Sequence, residues 1–177
     1  DYLNYFWGLI VALLIIGAIL YFVLRDKPKH EEYIEKIPPF DLAKQRLQEL
    51  DEKKLVEQNR IKLYYVELTD IVRTFIEREM KIPALESTSE ELIETISDFN
   101  SSSHLNIPSE TLAKLRRLLQ EADLVKFAKM KPLLNEIELH RQDAETVIDV
   151  MHPAHEARIK REQEEEKKRI EQEKKEE

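Results

Sequence analysis

The stretch FWGLIVALLIIGAILYFVL, Phe6 to Leu24, runs 19 residues without a charge and stops at Arg25. A helix that is apolar on every side has to be buried all round, and a small soluble domain has little room for one. At about 1.5 Å per residue the run is roughly 28 Å long, the thickness of a bilayer's hydrocarbon core. Its Leu, Ile, Val and Phe residues each favour insertion by roughly 0.3–0.6 kcal/mol, and no charge opposes them. Tyr5 and Trp7 at one edge and Tyr21 near the other stand where interfacial aromatics stand. The competing readings are a buried core helix and a cleaved signal peptide. Asp1 occupies the place of a basic leader region and the run exceeds a typical signal core, so a retained transmembrane helix is favoured.

Arg25, Lys27 and Lys29 follow the run, whereas the preceding flank has no Lys or Arg. The positive-inside bias places residues 25–177 in the cytoplasm. The chain starts at Asp1 rather than Met, which predicts the end of a longer or processed protein whose remaining part lies across the membrane.

Beyond the run the sequence reads as helices separated by prolines. Residues 25–38 form a charged linker broken by Pro28 and the Pro38-Pro39 pair. Pro39 suits a first helical turn, and Phe40, Ala43, Leu47 and Leu50 recur at helical spacing. A wide stripe of Ile61, Tyr64, Tyr65, Leu68, Ile71, Val72, Phe75 and Ile76 marks a second helix, with Arg73 among its polar positions. Thr88 followed by Glu91 spells a capping box for a third, carrying Leu92, Ile93 and Ile96. Residues 97–106, SDFNSSSHLN, read as a polar loop that includes a formal glycosylation sequon at Asn100. Pro108 opens a fourth helix with Leu112, Leu115, Leu118, Leu119, Ala122 and Val125 on one face. Pro132 interrupts it, and Ile137, Ala144, Val147, Ile148 and Met151 line the last. No alternating, strand-length run occurs, so the fold class is all-α. The predicted organisation is a transmembrane helix with its short flank (1–24), the linker (25–38), a cytoplasmic helical bundle (39–152) and a charged tail (153–177).

Residues 154–177 hold nine acidic and eight basic residues, including the ordered pairs Glu164–Lys168, Glu165–Arg169 and Glu171–Lys175. Ile159 and Ile170 are too few for a coiled-coil seam, which predicts a solvated helix or a tail that docks.

Composition removes whole classes of chemistry. A net charge of -8 opposes nucleic acid as a partner. The absence of cysteine excludes disulfides, thiolate metal sites and cysteine nucleophiles. Gly8 and Gly17 both lie in the apolar run, so no glycine loop can cradle a phosphate in the remainder. His152 and His155 have an i,i+3 spacing that two metal-bound imidazoles can use, but no third ligand is evident and Pro153 suggests an irregular turn. Ser101 to Ser103 beside His104 lack the strained turn of a nucleophilic serine. Tyr64-Tyr65 read as core residues rather than a recognition pair. The one promising cluster is ADLVKFAKMKP, residues 122–132. In one reading Asp123, Lys126, Phe127, Lys129 and Lys131 form a partner-binding patch with a basic rim. In the other, Val125 and Phe127 pack inward and Asp123 pairs with Lys126.

PPFDLAKQRLQELDEKKL (38–55), LYYVELTDIVRTFIEREMKIPALESTSEEL (63–92) and LLQEADLVKFAKMKP (118–132) carry a resemblance. Over roughly residues 38–150 the chain resembles the cytoplasmic end of the inner-membrane proteins of Bacteroidetes aerotolerance (Bat) loci. Those are encoded beside MoxR-type AAA+ ATPases and von Willebrand factor A proteins, and typically join a secreted β-rich region, one membrane span and a helical region. HRQDAETVIDVMHP stands where that family has an acidic closing stretch, and the charged tail from Ala154 is longer. The anchor, an acidic bundle without evident catalytic groups and the resemblance together lead to the expectation of a non-enzymatic, single-pass membrane protein that requires no cofactor. Its cytoplasmic bundle would dock partners of a MoxR and von Willebrand factor A complex at the lipid bilayer. The alternative is a structural stalk or self-assembling scaffold module.

Overall fold

The structure of the protein is a computed structural model that describes residues 37–176. The apolar run, the linker up to residue 36, and the interfacial residues Tyr5, Trp7, Tyr21, Arg25, Lys27 and Lys29 lie outside the described residues. Among the described residues no helix is long and apolar enough to cross a membrane.

Five helices and no strands make up the described residues: α1 (Pro39–Glu52), α2 (Ile61–Met80), α3 (Ser89–Ser102), α4 (Ser109–Phe127) and α5 (Leu134–Glu176). α2 packs on α1, α4 and α5, and α4 carries α3 on its other flank. The α2 stripe supplies Tyr65, Leu68, Phe75 and Ile76, all essentially closed to solvent, and α4 adds Leu115, Leu118 and Leu119. Each such side chain contributes roughly 1.5–3 kcal/mol on burial, which is what gathers helices too short to persist alone.

Local chemistry sets the helix ends. Pro39 occupies the first turn of α1, where its missing N–H costs nothing. The capping box at α3 is complete: Thr88 Oγ1 accepts from Glu91 N–H, and Thr88 N–H donates to the Glu91 carboxylate at 2.8 Å. Such a cap is worth about 1 kcal/mol. With no glycine beyond residue 17, left-handed backbone positions fall to Lys54, Asn59, Lys81, His104, Asn106 and Lys129.

Two expectations are corrected. The stretch 97–106 is helical as far as Ser102. Ser97 and Ser101 turn their hydroxyls back onto the carbonyls of Ile93 and Ser97 (2.8 and 2.9 Å), so their polar groups do not compete with the helix. Asn100 then clamps Ile107 through both its N–H (2.9 Å) and its carbonyl (3.1 Å), seating Leu105 and Ile107 in the core. Nor does Pro153 break the chain, because α5 passes straight through it. The cost of an interior proline, about 3 kcal/mol, is offset by anchors on either side. Met151 and His155 are buried, and His152 stacks on Phe40 with ring centroids 4.4 Å apart.

Ion pairs fix the directions. Asp51 meets Arg141, Lys44 meets Glu145 and Asp149, and Phe40 meets His152, so α5 runs antiparallel to α1. Beyond the core α5 touches the α3 end twice, with Arg158 over the Phe99 ring and Arg161 on the His104 carbonyl. Its last stretch is exposed. There Arg169 pairs with Glu166 and Glu173 rather than with Glu165, and Lys168 has no ion pair among the described residues.

Candidate docking site

The last turn of α4, the connection 128–133 and the first turn of α5 make a corner of the bundle. α4 ends at Phe127, five residues before Pro132, and the turn closes through Lys129 in the left-handed region, with Met130 N–H returning to the Leu124 carbonyl at 3.3 Å. Leu133 N–H donates to the Glu136 carboxylate at 2.6 Å and starts α5. Holding a lysine with φ near 57° costs of order 1 kcal/mol or more, so the corner is kept at some expense.

What the corner displays is apolar. Phe127 is 80% exposed, Leu133 65% and Leu134 69%, and Leu124 lies one turn before Phe127 on the same outer face. Val125 points inward, so Phe127, two residues on, cannot. Of the two readings of the cluster, inward packing therefore holds for Val125 and not for Phe127. The expected Asp123–Lys126 pair does not form either. Asp123 accepts from Ser89 Oγ at 2.6 Å, while Lys126 Nζ donates to Thr69 Oγ1 at 2.7 Å. Better-placed acceptors on other helices win both side chains. Lys129 and Lys131 are exposed and have no ion pair among the described residues.

Two clefts flank the corner. One, of about 510 Å³, lies between α1 and α2 and includes Lys126, Thr69, Arg73, Val66 and Leu85 in its lining. The other, of about 430 Å³, is walled by Leu50, Leu55, Tyr64, Leu134 and Ile137, with Arg141 at its edge. Burial, reinforced by Asp51, pushes the Tyr64 phenol up to about 12, so it is a neutral wall of that cleft. Sequence reasoning missed both clefts, and Arg73 with them. Its guanidinium reaches across to the carbonyls of Ala84 and Ser87 (both 2.7 Å) and to Ser89 Oγ (3.0 Å), buckling α2 to the start of α3.

The histidines lie elsewhere. His140 Nδ1 is 2.6 Å from the Tyr65 hydroxyl inside the core. His152 Nδ1 meets Glu79 at 2.7 Å, and buried His155 leaves Nδ1 without a hydrogen bond. Among the described residues no three His, Cys, Asp or Glu side chains are grouped to hold a metal ion. The Ser101 and Ser102 hydroxyls beside His104 are spent on helix carbonyls.

Burial lowers the His140 and His155 imidazoles below their usual 6.5. Glu121, Asp143 and Glu136 oppose this at His140, as do Glu79 and Glu162 at His155. The unfolded chain therefore binds protons that the fold refuses, and stability rises with pH across that window. Thermal unfolding followed between about pH 7 and 5.5 should show a melting temperature that falls as the pH drops. The fall should be smaller in a His155→Gln variant.

The chain matches no known protein family, no characterised protein and no solved structure.

Proposed function

We propose that this chain is a non-enzymatic, single-pass inner-membrane protein whose cytoplasmic bundle docks a partner protein through the corner 127–134. The observation that carries the reading is the exposure of Phe127, Leu133 and Leu134 at a turn held by a left-handed lysine. Apolar side chains grouped on a surface mark interaction sites, and large aromatics carry much of the energy where proteins meet. Pro39 lies at the other end of α1 from this corner. The apolar run and its basic flank support the anchor, and the resemblance to Bat-locus proteins supports a MoxR-type ATPase or a von Willebrand factor A protein as the partner. The 43-residue α5 favours a second reading, a stalk or self-assembling scaffold, because its outer part buries little.

Purification of the full chain in mild detergent from its own membranes, read by mass spectrometry, tests the choice. Co-purification of an AAA+ ATPase or a von Willebrand factor A protein is the expected result. Recovery of the chain alone removes the docking reading, and recovery only with itself favours the scaffold.

A further inference from the structure

The cleft beside the corner has an unbalanced charge. Two of its ion pairs cancel internally: Lys53 with Glu67 at 2.6 Å and Arg46 with Asp70 at 3.7 Å. Glu49 accepts from the neutral Gln45 amide and keeps its charge, so the four cations of the lining face three carboxylates. Arg73 and Lys126 are both half-buried, and neither is in an ion pair with a carboxylate among the described residues. Arg73 spends its donors on two carbonyls and a hydroxyl. Lys126 has three N–H donors and uses one of them, on a Thr69 hydroxyl that itself donates to the Tyr65 carbonyl at 2.8 Å. Desolvation lowers both cations' proton affinity, and Arg73 lowers that of Lys126 further. Asp123, tied to Ser89 Oγ, opposes this at both cations and Asp70 opposes it at Lys126, so the cost of desolvation is offset in part. Two like charges held together in a half-closed cleft, with free donors, are a receptor for an anion.

We infer that the cleft formed by Lys126, Thr69 and Arg73 receives a carboxylate side chain of the docked protein. The side chain belongs to an acidic segment whose neighbouring apolar residue rests on the cleft's Val66 and Leu85 walls. The inference rests on the docking reading above and adds the partner's chemistry. Val66 and Leu85 are both exposed at the cleft, which gives such a segment an apolar seat next to the charge. About 510 Å³ accommodates a carboxylate and one flanking side chain. Lysine is depleted in the centres of protein interfaces unless it has a charge to meet, and here it adjoins the apolar corner directly. Asp123, through Ser89 Oγ, holds the Arg73 side of the wall in place.

The test uses the full chain in the membranes of the cells that make it. A water-soluble carbodiimide joins an amine to a carboxylate in contact with it as an amide, so a Lys126 ammonium seated on an acidic side chain becomes linked to it. Mass spectrometry of the tagged, digested chain should find Lys126 joined to an Asp or Glu of the co-purifying protein. Lys126→Gln should lower the amount of that protein retained by about tenfold or more, and Lys126→Arg should restore part of it. The melting temperature of each variant separates loss of the charge from loss of the fold. A partner lost by Phe127→Ala but held fully by a folded Lys126→Gln would overturn the cleft assignment and leave the docking reading standing. So would Lys126 cross-linked only to carboxylates of its own chain. Retention abolished by phosphatase treatment would mean that the anion is a phosphate, and would overturn the assignment as well. Wild-type protein that retains nothing sinks both.

Discussion

Phe127→Asp should remove the docked partner from the detergent-solubilised protein, with retention falling by about a hundredfold, while the fold is untouched. A central aromatic at an interface carries of order 2–4 kcal/mol, which is roughly 30- to 1,000-fold in affinity. Phe127 is 80% exposed, so a charge there meets water rather than the core. Surface changes of this kind stay within about 0.5 kcal/mol in stability. The two readouts are therefore expected to part: binding lost, melting temperature unchanged. If both fell together, Phe127 would be a packing residue. If neither moved, the corner would not be where partners sit. Leu134→Asp, at the mouth of the neighbouring cleft, should act in the same direction.

The largest expected effect on stability sits between α4 and α5. Asp143 has a side chain 2% exposed, held by Arg117 through Nε (2.9 Å) and Nη2 (2.8 and 2.6 Å), and Arg117 itself is 44% exposed. The two halves of this pair are not equivalent. Arg117→Ala leaves a buried carboxylate without its counter-charge, which costs about 3–5 kcal/mol. Asp143→Ala leaves a guanidinium that can turn into solvent, and costs less. For a domain of this size the arginine variant should melt roughly 10–20 °C lower. The double variant should be more stable than Arg117→Ala alone, because the orphaned charge has gone. Thermal unfolding of the four proteins decides it, and additive losses would mean that the pair is not coupled.

What the sequence revealed and what it hid follow from how far apart the interacting groups are. The α2 stripe, Pro39 and the box of Thr88 with Glu91 are local patterns, read from spacing alone, and the structure has them. The serines after Ile96 gave a loop signal because their hydroxyls usually compete with the helix. The clamp that reverses this, Asn100 on Ile107, needs the turn already formed. Asp123 and Lys126 are three apart and looked like partners. Their acceptor and donor come instead from positions 89 and 69, a match that no periodicity announces. Arg73 read as one more solvated position on α2, yet it is the buckle between two helices. Inward packing of Phe127 beside Val125 is one of the two sequence readings, and it fails because Leu115, Leu118, Leu119, Ala122 and Val125 define the buried face of α4 and Phe127 does not lie on it. The clefts exist only where three elements meet, and are visible only once the chain is folded.

The single helix α5 keeps two clocks. Between Ile137 and Met151 its backbone amides are sealed against α1, α2 and α4. They exchange with solvent only when the whole bundle opens, a rare event at the scale of the global unfolding free energy. Past Arg161 the same backbone is held by hydrogen bonds along its own axis and by pairs such as Arg169 with Glu173, each worth a few tenths of a kcal/mol. Those residues open and close by fraying, without reference to the core. A protease would thus find its first purchase on the outer part of α5, and pulling there would unwind turn after turn at little cost until it reached Arg161 and Arg158, where resistance would begin to rise.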